Sequence, residues 1–575
     1  MGAYEDRADA LERAFGPLED PANPLGQDAI LAADAAGRMP AGAEEVLDAH
    51  RFNAEFVPAE LGGGLSRMDG LGRVLRPVFR RDASLGFGYG LNCFFAAAPV
   101  WIGGSAGQRA EVAGHLLRGR RVAVARHEVA HGNDFVREEF TARPTGDGYL
   151  LNGSKSVIAN ASRATGLVVF ARTGEGGGGR SHSVLLLDRA GLPEGRLTDL
   201  ARRPTNGMRS AEFGGLRATD CPVPGGALVG EPGGGYELSL RSSLLIRGLI
   251  PSIVLAGADT ALRTVARFAA RRRAGGRSPL DVQHVRDVLT GAFLDLLLSD
   301  CLALVATRGL HLMPRQTSAY AAAAAYLAPK IVAESMDGMS AVLGEESLAR
   351  DGAYAMFAKQ LRDLPVTSLG HAGSAGRQVS LLPQLPFFAR HVWFNDAEAP
   401  AGLFRLHGDL PPLDPAGPAL LGDSDPLAAT LVATDGLLGS DDLPGDAPGD
   451  RGALGTLTRA LVAELGELRT AFAGIGADDR AALIDPRSFA LADRYALVLA
   501  AAACLGVWRE QRSGGAAGPF LADPAWPTAA LYRLCRRLGL PLPERPAACE
   551  SRVLAEVLAR LHGRRSYDLY GTHLA

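Results

Sequence analysis

Cysteine is scarce in this chain and never paired. The six cysteines (Cys93, Cys221, Cys301, Cys504, Cys535 and Cys549) are scattered over 575 residues with no C-x-x-C and no metal-ligand spacing. That excludes a disulfide scaffold and a thiolate zinc site, and points to a reducing compartment. An excess of one charge is also missing. Lys and Arg number 60 against 63 Asp and Glu, a net charge of −3, so no general attraction to nucleic acid or to an anionic membrane is expected. The start, MGAYEDRADALERAF, is charged and lacks an apolar core; the expectation is a cytoplasmic protein without a signal peptide. The most apolar stretch, about Tyr495 to Trp508, is shorter than the ~20 residues a membrane crossing needs, so burial is expected and no membrane span. No repeat of fixed period stands out.

What is present is ordinary globular material: 47% hydrophobic and 21% charged residues, in a chain too long for one compact core. Helical spacing runs through roughly the first 120 residues, for example Gly70 to Arg81 and Ala106 to Arg118. From Val122 to about Pro232 the texture changes to short apolar runs, separated by Thr145-Gly-Asp-Gly148, Asn152-Gly153 and the Gly176 to Gly179 run, the pattern of a small antiparallel β domain. Long helical patterns return from Tyr236. Residues 409–454, dense in Pro, Gly and Asp, read as a linker, and helical spacing resumes over 455–575. The predicted fold class is therefore α+β, mainly α: an N-terminal helical domain (1–120), a middle antiparallel β domain (121–235), a C-terminal helical bundle (236–408), and a helical extension beyond the linker.

One stretch asks for separate treatment. ARHEVAHGND, residues 125–134, contains His127-Glu128-x-x-His131, letter for letter the zinc-protease signature. That chemistry needs both imidazoles one turn apart on a helix, with the glutamate beside the metal-bound water. Here an apolar, partly β-branched run (Arg121 to Ala125) precedes the signature and Gly132-Asn133-Asp134 follows it, a strand and a turn. The third-histidine position of the elongated signature holds Arg137. No metal is expected; a zinc hydrolase is the outlying alternative.

The same stretch has a second reading. H-E-V-A-H-G-N-D followed by N-G-S-K-S-V-I-A-N (residues 152–160) resembles the flavin-binding segment of the acyl-CoA dehydrogenase family, whose pattern is T-E-P-x-x-G-S-D and then N-G-x-K-x-W-I-T-N. Further elements fall in the family's order. Val57-Pro58-Ala59-Glu60-Leu61-Gly62-Gly63 is similar to its V-P-x-E-x-G-G, and Asn206-Gly207-Met208-Arg209-Ser210 to its G-M-R-x-S. Arg272 and Gln283 fall where the family has the arginine of R-x-x-F-G and the glutamine of the next helix. Each piece is weak alone; their collinear order over the first ~400 residues carries the resemblance.

The resemblance implies FAD as cofactor and an acyl-CoA or acyl carrier protein substrate. A carboxylate would remove the α proton of a thioester while hydride leaves the β carbon for the flavin. On the same basis Ala125, His127, Gly132, Asn133, Val157 and Ala159 would line the flavin. Arg272, Gln283, Gly370 and Gly373 would meet its far end from a neighbouring subunit in a homodimer, and Asn133 and Arg247 would meet substrate. The family's usual base segment, Y-E-G-T, is replaced by Phe394-Asn395-Asp396-Ala397-Glu398, which makes Glu398 the candidate base and Asp396 the fallback. Val157 and Ala159 replace the usual tryptophan and threonine and His127 the loop threonine, changes that raise an oxygen-using flavoenzyme, and a flavin-free scaffold, as alternatives. The Ala, Gly and Arg-rich style resembles actinobacterial proteins and, with the departures, hints at specialised metabolism. The extension resembles in placement the extra helical domain of the family's long members, with packing as its expected role.

Overall fold

The computed structural model describes residues 3–131, 134, 137–174, 178–273, 275–368, 375–440, 448–476, 479–514 and 518–575. It divides into two compact units, residues 1–246 with 413–416, and residues 247–412 with 417–575.

The first unit opens with helices α1 (Tyr4–Phe15), α2 (Gln27–Ala35), α3 (Ala43–Ala49), α4 (Met68–Arg81), α5 (Ala83–Leu85), α6 (Asn92–Gly103) and α7 (Ala106–Leu117), with a π turn over Gly86–Leu91. Local chemistry sets these ends. Ser105 and Gln108 form a reciprocal capping box at the start of α7, and the Asp82 carboxylate accepts the Ser84 N–H at α5. The V-P-A-E-L-G-G element is a tight turn between α3 and α4. Gly62 sits at φ +87, and a Cβ on Gly63 would stand 2.0 Å from the Val57 carbonyl oxygen.

Strands β1 (Arg121–Ala125), β2 (Thr141–Pro144), β3 (Gly148–Ala159), β4 (Ala164–Arg172), β5 (His182–Asp188), β6 (Leu197–Leu200), β7 (Phe213–Pro224) and β8 (Leu228–Val229) form one sheet. Its order is β6-β7-β3-β2-β4-β5-β8, with β1 paired to β4. Most pairings are antiparallel, as expected, but β1 and β2 each run parallel to β4, so the sheet is mixed. Ala125, Phe140, Leu151, Leu167, Leu185 and Leu216 share its buried core.

The Thr145 to Gly148 turn is where the sequence predicts it, closed by Thr145 N–H to the Gly148 carbonyl at 2.8 Å. Asn152-Gly153 is not a turn. It lies inside β3 as a bulge, with Gly153 at φ +125 and the β3–β7 register shifting beside it. The Asn152 amide reaches across to Asp220, donating to its carboxylate at 3.1 Å and accepting its N–H at 2.9 Å. Long-range pairing with β7 outweighs the local turn preference of Asn-Gly.

Helix α8 (Gly235–Arg271) begins in the first unit. The second unit continues with α9 (Gln283–Leu312), α10 (Thr317–Leu343), α11 (Ala355–Thr367), α12 (Ala375–Gln378) and α13 (Leu385–Phe387), then α14 (Pro426–Gly439), α15 (Pro448–Ala473), α16 (Arg480–Leu483), α17 (Pro486–Arg512), α18 (Pro519–Ala522), α19 (Ala525–Leu538) and α20 (Ala547–His562). Helix α14 falls inside the stretch that composition reads as a linker. Its Asp425-Pro426 start is an N-cap followed by proline at the first helical position, with the Asp425 carboxylate accepting the Ala428 N–H, and Leu427 and Leu431 are fully buried.

Among the described residues, four helical stretches, Ala83–Gly103, Gly235–Arg271, Gln283–Leu312 and Pro486–Arg512, are long and apolar enough by composition to cross a membrane. The last corrects the shorter span expected around Tyr495. Between 78 and 100% of their most apolar windows is buried inside the protein, so the protein core accounts for the apolarity. All six cysteines are buried.

Gly63→Ala is expected to lower stability by at least the ~1–3 kcal/mol of an overpacked site, because the atom in the way belongs to backbone. Gly146→Ala, where a Cβ meets nothing within 4 Å, is the neutral control. Thermal or urea denaturation of both checks this, and equal midpoints would refute it.

Candidate functional site

In the first unit β1 ends at the buried Ala125, and the chain then steps through turns. His131 N–H meets the Glu128 carbonyl at 3.1 Å, Asp134 N–H the His131 carbonyl at 2.9 Å, and Arg137 N–H the Asp134 carbonyl at 3.0 Å. The His127 to His131 signature is not on a helix. Nor does Glu128 face a metal-bound water: its carboxylate accepts the N–H groups of Glu139 and Phe140, both at 2.8 Å. His131 faces Glu139 at 3.2 Å. Among the described residues no group of three or more His, Cys, Asp or Glu is placed to hold a metal ion.

The centre of this region is Lys155 on β3, which is 0% exposed. Its ammonium donates to the Glu138 carboxylate at 2.7 Å and to the Arg126 carbonyl at 2.9 Å, and stands 3.3 Å from Glu128. Three donors thus meet three acceptors, the condition for burying such a charge. Burial pushes the Glu138 carboxyl up to about 7, against the pull of Lys155 and Arg126. Burial would raise Glu128 as well, but the N–H groups of Glu139 and Phe140 and the Lys155 charge together hold it below its ordinary value. His182 is pushed down to about 4, by burial first and then by Arg172 and Lys155. Sequence reading quoted Lys155 and Glu128 without assigning them a partnership and missed Glu138 and His182. A lysine in an apolar strand was the available signal, since such a charge demands carboxylates.

Lys155 therefore ties the end of β1 to β3, and the predicted cofactor positions lie around this tie. Ala125 is in the sheet core. Ala159 is buried, and its carbonyl accepts from the Asn92 amide at 3.0 Å. His127 is exposed, Val129 is 58% exposed and Val157 is 37% exposed. The β3–β7 register shifts between Lys155 and Ile158, which turns Val157 outward although it lies two residues from the buried lysine. Val129 and Val157 thus present aliphatic surface to solvent, while the Arg126 and Ala159 carbonyls are each fixed by a hydrogen bond. Gly132 and Asn133 lie outside the described residues.

In the second unit, Arg272 and Gln283 are both exposed, at the end of α8 and the start of α9. Gln283 bonds Arg286 at 2.6 Å and Asp287 at 2.7 Å. Arg247 donates to the Ser380 hydroxyl at 2.6 Å. Glu398 pairs with Arg509 at 2.8 Å, its side chain 46% exposed, and Asp396 accepts the Asp425 N–H at 2.5 Å. Gly370 and Gly373 lie outside the described residues.

The family described as "Acyl-CoA dehydrogenase, C-terminal domain" matches over residues 233–382. The mitochondrial short-chain specific acyl-CoA dehydrogenase of Mus musculus is 29% identical over 241 residues, 42% of this chain and 58% of that enzyme, so the chain spans a little over half the length of this relative. Among solved structures, butyryl-CoA dehydrogenase from Megasphaera elsdenii aligns with a TM-score of 0.59 at 18% identity, covering 65% of this chain and 96% of that one. The prolyl acyl carrier protein oxidase AnaB aligns with a TM-score of 0.57 at 20% identity, covering 65% and 96%. These two likenesses are of fold.

Lys155→Met leaves Glu138 and Glu128 buried without their cation, and is expected to cost about 3–5 kcal/mol in urea unfolding; a loss below ~1 kcal/mol would show the pairing to be incidental. For Glu138 the folded-state pKa lies above the unfolded one, so its stabilisation is present below about pH 4.5 and lost as pH rises through about 7. The stability of the parent relative to Glu138→Gln should accordingly fall between pH 5 and 8. A flat difference would contradict the assignment.

Proposed function

We propose that this chain, which belongs to the acyl-CoA dehydrogenase family, is an FAD-dependent oxidoreductase that desaturates an acyl group held as a thioester on coenzyme A or a carrier protein. The observation that carries this reading is the Lys155 tie, which fixes the Arg126 carbonyl and leaves His127, Val129 and Val157 open to a flat ring. The aliphatic surface and the fixed carbonyl fit an isoalloxazine.

Ala125, His127, Val157 and Ala159 would hold the ring, and Arg272 and Gln283, both exposed, the far end of a cofactor bound by a second copy, which makes a homodimer the proposed assembly. When bound, FAD supplies acceptance of hydride from the β carbon. This chain's own residues do the rest. Arg247, held by Ser380, orients substrate. Glu398, or Asp396 in its place, removes the α proton. Displacement of water by a bound acyl chain would raise the carboxylate's basicity and favour proton removal.

A second reading, an oxidase that passes electrons to oxygen, is favoured by Val157 and Ala159, since neither offers the ring a hydroxyl; AnaB, a prolyl acyl carrier protein oxidase of similar fold, supports the same reading.

The purified protein is expected to be yellow, and acyl thioesters are expected to bleach it without oxygen. Oxygen consumption on re-aeration at the turnover rate would favour the oxidase, and a colourless protein that takes up no FAD would overturn both readings. Glu398→Gln should retain flavin and lose bleaching; parental bleaching in that variant would exclude Glu398 and pass the role to Asp396, tested as Asp396→Asn.

A further inference from the structure

The loop from Trp393 to Pro400 carries both candidate carboxylates, and its polar groups are gripped by residues from 425 onward. The Trp393 indole N–H donates to the Asp425 carboxylate at 2.9 Å, and the Asp425 N–H donates to Asp396 at 2.5 Å. Arg509 of α17 donates to Glu398 at 2.8 Å and to the Thr434 hydroxyl of α14 at 3.1 Å. The Ala399 N–H is shared by the Thr430 hydroxyl at 3.0 Å and the Pro426 carbonyl at 3.1 Å. Just before the loop, Arg390 reaches the Ala473 carbonyl at 3.2 Å. Arg469 of α15 lies 5.3 Å from the Phe394 ring centre, and Phe394 is held at φ +71. A bulky residue keeps such a backbone only where its surroundings over-determine it.

Asp425 is the hub of this grip. Fully buried, it also accepts the hydroxyls of Tyr320 at 3.1 Å and Tyr495 at 2.7 Å, besides capping α14. One carboxylate thereby joins α10, the loop, α14 and α17.

We infer that the C-terminal extension, counted from α14 and its Asp425 cap onward, positions the 393–400 loop for the reaction, with Asp425, Thr430 and Arg509 as positioning residues that fix Asp396 and Glu398. This rests on the proposed thioester oxidation for its chemical consequence, but the grip itself is independent of it. A loop without regular secondary structure orders its side chains through outside contacts, and here the polar ones come from 425–509. The extension is then needed for proton removal and dispensable for holding flavin, a role beyond packing.

The test compares FAD-loaded parent, Asp425→Asn and Arg509→Ala. An asparagine at 425 presents N–H groups where Trp393, Tyr495 or Tyr320 already donate, so it breaks the hub at nearly constant volume. Expected in both variants are amide exchange over 393–400 faster by about tenfold, unchanged exchange over 121–160, and unchanged flavin content. The first-order rate of anaerobic flavin reduction should fall about tenfold while the apparent substrate dissociation constant stays within about twofold. If Asp425→Asn does not fold, Arg509→Ala and Thr430→Val carry the comparison. Parental exchange in the variants would overturn the grip; faster exchange with a parental reduction rate would overturn its role in positioning. If the parent binds FAD yet no acyl thioester reduces it, the proposed function falls, and the exchange data still decide whether the extension holds the loop.

Discussion

A single buried ammonium organises the first unit. Lys155 gathers Glu128, Glu138 and the Arg126 carbonyl, and so joins the segment just after β1, the entry to β2 and the middle of β3. Removing a charge of this kind from water is costly unless every donor is met. The geometry of the loop between β1 and β2 follows from that requirement: Glu128 must turn inward to its two N–H donors and the lysine, which leaves His127 and Val129 facing out. The apparent zinc signature and the proposed flavin surface are thus two views of one constraint.

The second unit repeats the logic with the opposite sign. Asp425 is a buried carboxylate whose acceptor capacity is used by two tyrosines, a tryptophan and a helix N-terminus. Burial raises its pKa against those donors, and burial first, then the Asp425 charge, push the hydroxyls of Tyr320 and Tyr495 well above their usual range. Such networks are specific because a half-satisfied one is worse than none. This one sits where the bundle meets the helices beyond it.

Much of the architecture was legible because it is local. Periodicity placed α4 and α7 to within a few residues, and the change from helical spacing to short apolar runs near Val122 marked the start of the sheet. What failed did so where distant residues decide. Asn152-Gly153 has hairpin chemistry, yet β7 pairs across it and makes a bulge. Asp425-Pro426 has linker composition, yet the apolar residues after it find a core, so Asp and Pro act as a helix start. The parallel pairing of β1 with β4 has no local signature. The site was legible as a row of motif letters, but Glu138 matters through Lys155 and His182 through its burial beside Arg172 and Lys155, and no spacing in the sequence brings them together. The base assignment was least legible: Glu398 and Asp396 meet Arg509 and the Asp425 N–H, partners more than twenty residues further along.

The six buried cysteines have a consequence for handling and for cellular life alike. Burial pushes the Cys93 thiol up to about 11 and the Cys535 thiol up to about 12, and the attacking species in thiol oxidation is the thiolate. At neutral pH the Cys93 and Cys535 sulfurs are therefore shielded twice, by access and by protonation. Peroxide formed when reduced flavin meets oxygen would find little to modify while the chain stays folded, and alkylation of its thiols would count openings of the core.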